Sequence, residues 1–240
     1  MAAFLDNRIF ICYYYPKIKI ARYQFKYRGG ITMKINKDVL DEIKEGEPSG
    51  NLAHTAKIMM VLLVYLLPEF KEHSEKVALF AKKVAEKMGI KGKIPFYVGL
   101  FHDVGKIPLN HDLFDDHEFT KEDYAEVKKH AMLGFNFFKD IHLFIAVCVG
   151  LVHNVYDGGY GITMDDFPHN FGDRTVKKMK KIAAIVSVCD FTDSFLTRGT
   201  KLKDAASKGK TLSGILREKY HKYPHVVKAA LEVKEDLELY

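Results

Sequence analysis

The chain contains little cysteine, and its cysteines are far apart. Cys12, Cys148 and Cys189 are the three in 240 residues, and two of them lie in strongly apolar stretches. An odd number without close spacing favours neither a disulfide framework nor a cysteine-zinc site. The pattern predicts reduced core cysteines in a cytoplasmic protein.

Long hydrophobic runs are also missing. The longest, residues 58–67, covers about ten residues, whereas a helix that spans a bilayer needs about twenty. The run therefore predicts a buried helix segment, and no membrane partner is expected. The sequence has no internal repeat, no glycine-rich phosphate loop and no low-complexity segment.

Charge of one sign is in modest excess. Lys and Arg outnumber Asp and Glu by 37 to 31, which gives a formal net charge of +6. That surplus suits a small anionic substrate such as a nucleotide. Polymeric nucleic acid is not expected, because the basic residues are spread out and no arginine-rich stretch or recognition motif is present. Hydrophobic and charged fractions of 48% and 28% are ordinary for a soluble globular domain.

The first 50 residues differ from the rest and read as an N-terminal extension. Residues 9–15 are β-branched and aromatic, and residues 17–27 alternate loosely, so residues 1–32 predict a short β-hairpin appendage. A competing hypothesis is that the native protein starts at Met33. Residues 45–50 form a cluster of Gly, Pro and Ser that predicts a loop. The main domain is expected at residues 51–240.

Helical periodicity dominates that main domain, so the predicted fold class is all-α, a helical bundle. Gly89 is placed to end one helix, and Thr120 with Asp123 has capping-box spacing at the start of another. The predicted helices cover residues 69–88, 120–138, 141–152 and 175–196, and a last one starts at about residue 224.

Side chains that could bind metal are scattered over these helices. Asp190 and Asp193 stand where apolar residues are due on their helix, and a buried carboxylate needs a compensating charge, which a metal ion supplies. The donors are nitrogen and oxygen only, which favours iron, manganese, magnesium or zinc over a cysteine-zinc site. The seven candidate ligands are Glu69, His73, His102, Asp103, His130, His153 and Asp190.

The stretch from Phe101 to Lys106 is the most informative. It reads Phe-His-Asp-Val-Gly-Lys and places an imidazole, a carboxylate and an ammonium within five residues. If this stretch is helical, Asp103 and Lys106 share a face one turn apart. A phosphate held by a metal at Asp103 would then also reach Lys106.

These residues carry a family resemblance. His73, then His102-Asp103, then the distant Asp190 match the His, His-Asp, Asp pattern of the HD superfamily of metal-dependent phosphohydrolases. The chain resembles the HD-GYP branch of that superfamily over about residues 51–237. The resemblance implies an HD-domain helical bundle with a metal site between helices. Features shared with the branch are Glu69 four residues before His73, the HD-x-GK signature at residues 102–106, and His130 on the next helix.

The stretch that gives the branch its name is altered in this chain. The branch has His-His-Glu and then Asp-Gly-x-Gly-Tyr-Pro. This chain has Val-His-Asn at 152–154 and Asp-Gly-Gly-Tyr-Gly at 157–161, with one residue missing between the glycines. Val152 therefore replaces the first His, Asn154 the Glu and Gly161 the Pro. The run that follows the last Asp also differs, and Arg198 and Lys201 are its remaining basic residues.

The resemblance implies a ligand set and a mechanism. His73, His102, Asp103 and Asp190 would hold one divalent metal, and Asp103 would bridge to a second held by His130 and His153. Iron or manganese is expected, with magnesium, zinc and nickel as alternatives, and Glu69 permits a third metal. A hydroxide shared by two metals would attack phosphorus, with Asp103 and Lys106 as catalytic residues. Asp193 would orient a ligand or a bound water.

For the substrate, the resemblance implies a cyclic dinucleotide, with cyclic di-GMP first. Its expected binding residues are Lys106, Asp157, Gly158, Tyr160 and Arg198. Two alternatives stay open: an HD phosphohydrolase for another nucleotide or phosphodiester, and a degenerate, non-catalytic module that senses a nucleotide or binds a partner. A homodimer or a signalling-protein partner is compatible with each.

Overall fold

The structure, a computed structural model, describes residues 35–44, 52–114, 117–166, 171–197 and 209–236. All of these belong to residues 32–240, the second of two units into which the chain divides. The hairpin expected in residues 1–32, the loop expected at 45–50, and the predicted substrate residue Arg198 lie outside the described residues.

Regular structure within the described ranges is helical, which confirms the all-α prediction. The α-helices, in chain order, are α1 (Lys37–Lys44), α2 (Leu52–Leu66), α3 (Pro68–Lys87), α4 (Lys93–Phe101), α5 (Lys121–Lys128), α6 (His130–Phe138), α7 (Leu143–Leu151), α8 (Asp173–Thr197), α9 (Leu212–Lys219) and α10 (Pro224–Asp236). Short 3-10 turns lie at Val104–Lys106, His111–Phe114, Val152–Asn154 and Met164–Asp166.

Helices α3 and α8 form the centre of the bundle. Helix α3 packs against α4, α8 and α10, and α8 also packs against α4 and α7. Helix α6 completes the bundle by packing against α7 and the turn at Val104–Lys106. The turn that follows α4 therefore meets α6, and the turn that follows α7 meets α8.

The sequence explains why α3 begins and ends where it does. Pro68 occupies the first turn, where its fixed φ suits a helix and its missing N–H costs nothing. Gly89 follows the helix with a φ of 70°, a conformation that favours glycine. The predicted face of α3 is buried at Val77, Phe80 and Val84, so His73, on the same face, is directed toward the interior.

The single helix predicted for residues 120–138 is wrong in one respect, since it is interrupted at Lys129. The predicted capping box at Thr120 and Asp123 is present at the start of α5. At the interruption, Nδ1 of His130 donates a hydrogen bond to the Val127 carbonyl, at 2.6 Å. The interruption therefore orients a histidine ring as well as ending a helix.

Helix α2 corrects another prediction, that residues 58–67 form a buried segment. One side of the helix is buried, with Met60 and Leu63 in the core, but Ile58, Val61 and Tyr65 are exposed.

Among the residues that the structure describes, no helix is both long and apolar enough to cross a lipid bilayer.

The turn at Val104–Lys106 lies so close to α6 that only glycine fits at its centre. A Cβ built on Gly105 would lie 1.9 Å from the His130 carbonyl oxygen and 2.6 Å from the Gly134 nitrogen. Both are backbone atoms, which cannot yield by rotating a side chain. This approach sets the spacing between Asp103, before the turn, and His130 on α6.

We therefore expect Gly105→Ala to destabilise the fold by on the order of 3 kcal/mol, because the added methyl group must separate two packed elements. Chemical denaturation monitored by circular dichroism measures the change. Gly172→Ala is the matched control, since a Cβ there would meet no atom within 4 Å, and it should cost less than about 1 kcal/mol. Equal stability of the two variants would contradict the packing argument.

Candidate metal centre

Each side of the centre is formed by a different part of the bundle. Helix α3 contributes His73, the segment after α4 contributes His102 and Asp103, and α6 contributes His130. The turn after α7 contributes His153, and α8 contributes Asp190. His102, Asp103, His130 and His153 are buried, and His73 and Asp190 are partly exposed.

The ligand atoms fall into two groups that share one carboxylate. One group is His73, His102 and Asp103, and the other is Asp103, His130 and His153; within each group the donor atoms lie within 4.8 Å of one another. The two oxygens of Asp103 face different groups, with Oδ2 3.5 Å from His102 Nε2 and Oδ1 3.5 Å from His130 Nε2. Asp103 is thus placed to bridge two cations.

Backbone carbonyls fix which ring nitrogen of two histidines faces the centre. Nδ1 of His102 lies 2.7 Å from the Gly99 carbonyl, and Nδ1 of His130 lies 2.6 Å from the Val127 carbonyl. Because a carbonyl only accepts, each Nδ1 must carry the proton. Each Nε2 then presents a lone pair to the centre, the tautomer that a metal ligand requires.

Three of these nitrogens provide the test of whether metal fits. The Nε2 atoms of His102, His130 and His153 are buried, and no residue that the structure describes makes a hydrogen bond to them. Leaving a buried polar atom unsatisfied costs about 1–3 kcal/mol. Such atoms on three histidines that share ligand groups with Asp103 fit divalent metal ions, and the nitrogen and oxygen donors suit iron, manganese or zinc.

Asp190 connects the two groups at the edge of the centre. Its Oδ1 lies 3.1 Å from His73 Nε2 and 3.8 Å from His102 Nε2, while its Oδ2 lies 3.9 Å from His153 Nδ1. About 19% of the Asp190 side chain is exposed, compared with 2% for Asp103. Solvent therefore reaches the centre on the Asp190 side.

Asp193, one turn further along α8, acts on the centre through His73. Its Oδ2 lies 2.5 Å from His73 Nδ1, and its side chain is 1% exposed. This carboxylate holds the ring so that Nε2 faces Asp190 and Asp103, the arrangement in which a carboxylate orients a metal-binding histidine.

Lys106 completes the buried part of the centre. Its ammonium lies 2.6 Å from Asp103 Oδ2 and 4.1 Å above the ring of Phe70. The predicted proximity of Asp103 and Lys106 is thus seen, although a 3-10 turn rather than an α-helix creates it. Phe70 was not singled out from the sequence; its position one turn before His73 on α3 is the signal that indicates it.

The structure does not bring every predicted site residue to this centre. Glu69 is exposed on the first turn of α3 and belongs to neither ligand group. Asp157 is 68% exposed and is paired with Lys222 and with His221, which lies 3.7 Å away. The third metal and the Asp157 contact to substrate therefore stay predictions.

The altered loop is nonetheless anchored at the centre through Tyr160. The Tyr160 ring stacks on His153, with centroids 4.9 Å apart and an interplanar angle of 12°. Gly158 and Gly161 have φ values of 72° and 109°, so the loop needs glycine at both positions. Asn154, which replaces the Glu of the branch pattern, donates a hydrogen bond to the Ile162 carbonyl at 3.0 Å and closes the loop.

Comparison with known proteins identifies the domain. Residues 70–194, more than half of the chain, match the family model described as HD domain. The chain belongs to the HD-domain family. This family comprises metal-dependent phosphohydrolases, and the matched residues include the six ligand candidates from His73 to Asp190.

A curated relative of this HD domain is named cyclic di-GMP phosphodiesterase and comes from Thermotoga maritima. The two are 26% identical over 199 residues, which cover 78% of this chain and 50% of the relative. The chain thus spans about half the length of that relative. No solved structure matched the chain.

Burial and neighbouring charges shift the pKa values of the histidines in the HD domain. Burial, and then the positive charge of Lys106, lowers the pKa of His130 to about 4, and burial with neighbouring His130 lowers the pKa of His153 to about 3. For His73 burial acts in the opposite direction, but hydrogen bonds to Asp190 and Asp193 outweigh it and raise the pKa to about 9.

These values predict how the stability of the metal-stripped HD domain depends on pH. Between about pH 4 and 6.5, His130 and His153 are protonated in the unfolded chain but neutral in the folded one. The free energy of unfolding therefore rises with pH in this range. Between about 6.5 and 9 folded His73 keeps a proton that the unfolded chain loses, so stability falls. Each proton changes stability by about 1.4 kcal/mol per pH unit.

Melting temperatures of the chelator-treated protein from pH 4.5 to 9 should therefore peak near pH 6.5. His73→Gln removes the titrating ring and should flatten the alkaline decline while leaving the acid decline in place. A melting temperature that keeps rising to pH 9 in the wild type would contradict the assignment.

Asp193→Asn tests the orientation of His73. An amide holds the Nδ1 proton less strongly than a carboxylate, so metal affinity should fall roughly 10- to 100-fold. Competition with a coloured chelator measures the affinity. Asp173→Asn makes the same change at the exposed start of the same helix and should leave affinity unaltered; equal affinity in both variants would remove the proposed role of Asp193.

Proposed function

We propose that this chain is a metal-dependent phosphodiesterase that hydrolyses a cyclic dinucleotide, with cyclic di-GMP as the leading substrate. The observation that carries the proposal is the pair of ligand groups sharing Asp103, in which the buried Nε2 atoms of His102 and His130 each lie 3.5 Å from that carboxylate. A buried lysine beside the shared carboxylate adds the positive charge that a phosphodiester requires.

His73, His102, Asp103 and Asp190 would hold one divalent ion, and Asp103, His130 and His153 a second. Such ions supply Lewis acidity and lower the pKa of water to the neutral range. Asp193 orients His73, and the Gly99 and Val127 carbonyls orient His102 and His130, so the donor atoms are arranged before substrate arrives. This arrangement is the preorganisation on which electrostatic catalysis depends.

Lys106 would stabilise the negative charge that develops on the phosphoryl oxygens. The Lys106 residue is 7% exposed, and its ammonium is held between Asp103 and the face of Phe70. A cation fixed in a buried environment interacts with a phosphoryl group more strongly than a solvated one does. The same position lets it restore charge balance at Asp103 when no substrate is present.

Two observations support a cyclic dinucleotide as the substrate, the name of the relative and an aromatic ring at the centre. The Thermotoga maritima relative carries the name cyclic di-GMP phosphodiesterase. Tyr160, stacked on His153, gives the loop side of the centre a flat aromatic wall, which is the kind of surface on which a nucleobase packs.

One observation favours a second candidate, an HD phosphohydrolase acting on another nucleotide or phosphodiester. Asp157, expected to bind substrate, is instead paired with Lys222 and lies 3.7 Å from His221. The loop that distinguishes cyclic dinucleotide enzymes of the HD-GYP branch thus uses this carboxylate for its own attachment.

Turnover assays separate the two candidates. Protein loaded with iron(II) or manganese(II), with metal content measured, is given cyclic di-GMP and bis(p-nitrophenyl) phosphate. Hydrolysis of cyclic di-GMP supports the proposal, and cleavage of the generic diester alone favours the second candidate. A fully loaded protein that cleaves neither compound would overturn both and leave a non-catalytic binding module.

Two variants test the assigned roles. Asp103→Asn should abolish turnover and reduce metal content, because it weakens both ligand groups at once.

Lys106→Ala should retain the metal but lower kcat roughly 100- to 1,000-fold, the usual effect of removing one charge-stabilising group. Lys180→Ala, an exposed lysine on α8, is the control and should keep wild-type kcat. Loss of metal from the Lys106 variant would contradict its role as a substrate contact.

A further inference from the structure

Helix α2 exposes a row of large apolar side chains on the side that faces away from the bundle. Ile58, Val61, Leu62, Tyr65 and Leu66 have exposed fractions of 59%, 46%, 36%, 54% and 37%. Their positions are i, i+3, i+4, i+7 and i+8, so they lie together along one face of the helix. These five side chains are called the α2 stripe below.

The α2 stripe differs from the single apolar residues that are scattered over most protein surfaces. It contains five of the nine large apolar side chains that are exposed in the described part of the chain. The other four, at positions 119, 124, 132 and 141, lie on other elements. A contiguous apolar patch of this kind marks an interaction surface.

The chemistry of the α2 stripe limits what can cover it. Residues 58–66 read Ile-Met-Met-Val-Leu-Leu-Val-Tyr-Leu, with no charged side chain. The opposite side of the helix, which includes Ala56, Met60 and Leu63, is buried against the bundle, so α2 cannot turn its stripe inward without exposing core residues. A small anion or a nucleic acid finds no cation to bind here, and the partner must present apolar surface.

A second copy of the chain presents such a surface in a matching arrangement. If two α2 helices lie antiparallel, with a two-fold axis between Val61 and Leu62, Ile58 of each copy falls opposite Tyr65 of the other. The contact is then isologous, since the same patch serves on both copies, and it closes at two subunits. Because the stripe has no charge, it contains no group that would favour a different, charged partner over an identical copy.

The α2 stripe is also large enough for a weak dimer. A large side chain has on the order of 200 Å² of surface, so the exposed fractions leave on the order of 450 Å² open on the stripe. Two stripes covering each other would bury on the order of 900 Å², close to the ~1,000 Å² at the lower end of specific protein interfaces.

We propose that this chain forms a two-fold homodimer through the α2 stripe. An interface of this size is weak, so monomer and dimer are expected to exchange at micromolar concentrations. The inference does not depend on the proposed substrate, because no residue of α2 belongs to either ligand group of the metal centre.

Sedimentation velocity of the full chain from about 1 to 100 μM tests the proposal. The wild type should move from the 27.5 kDa monomer toward twice that mass as concentration rises. Leu62→Glu and Leu62→Lys should each raise the dissociation constant at least roughly 10-fold, because like charges meet beside the two-fold axis. An equimolar mixture of the two variants should regain association, because opposite charges then meet there.

Ile141→Glu is the matched control, since it places a charge at an exposed apolar residue outside α2, and it should dimerise like the wild type. Circular dichroism checks that every variant is folded. A wild type that stays monomeric, a dimer that tolerates both Leu62 changes, equal loss in the Ile141 variant, or a mixture that fails to recover would each overturn the proposal. So would a monomer that binds phosphatidylcholine–phosphatidylglycerol vesicles and loses that binding in Leu62→Glu, which would assign the stripe to a lipid surface.

Discussion

The structure depends on one buried carboxylate, Asp103, placed where α3, α6, α8 and the turn after α7 converge. Burial acts to raise its pKa, but the charges of Lys106 and of the surrounding histidines hold the pKa well below its usual range. A permanent negative charge in a core is costly unless it is compensated. Lys106 provides part of that compensation, and metal ions at the two ligand groups would provide the rest. Gly105 then fixes the distance from this charge to His130.

Much of this arrangement could be predicted from the sequence because helical spacing is local information. The apolar face of α3 indicated which way His73 points. Asp193 stood out because it places a carboxylate where an apolar residue is due on α8. Even the orientation of two rings follows from spacing, since His102 and His130 each donate from Nδ1 to the carbonyl three residues before them. These relations require only that a residue and its partner lie on one turn.

What spacing could not supply is the packing between elements. The exposure of Ile58 and Tyr65 on α2 depends on which side of that helix the bundle covers. Lys219 is a stronger case. Its rings come from residues 156, 191 and 220, and no local pattern indicates that a lysine on α9 meets all three.

The substitution at Val152 shows how the loop and the centre are related. Val152 is fully buried in the apolar core, next to His153, whose Nε2 has no hydrogen-bond partner among the described residues. A histidine at this position could have served as a further ligand, as the HD-GYP pattern implies. With valine there, the second group is limited to Asp103, His130 and His153, and an ion held by three protein ligands keeps coordination positions open. A centre with fewer protein ligands depends more on contacts outside the metals to hold its substrate, and Lys106, held beside Asp103, is a cation placed to make one.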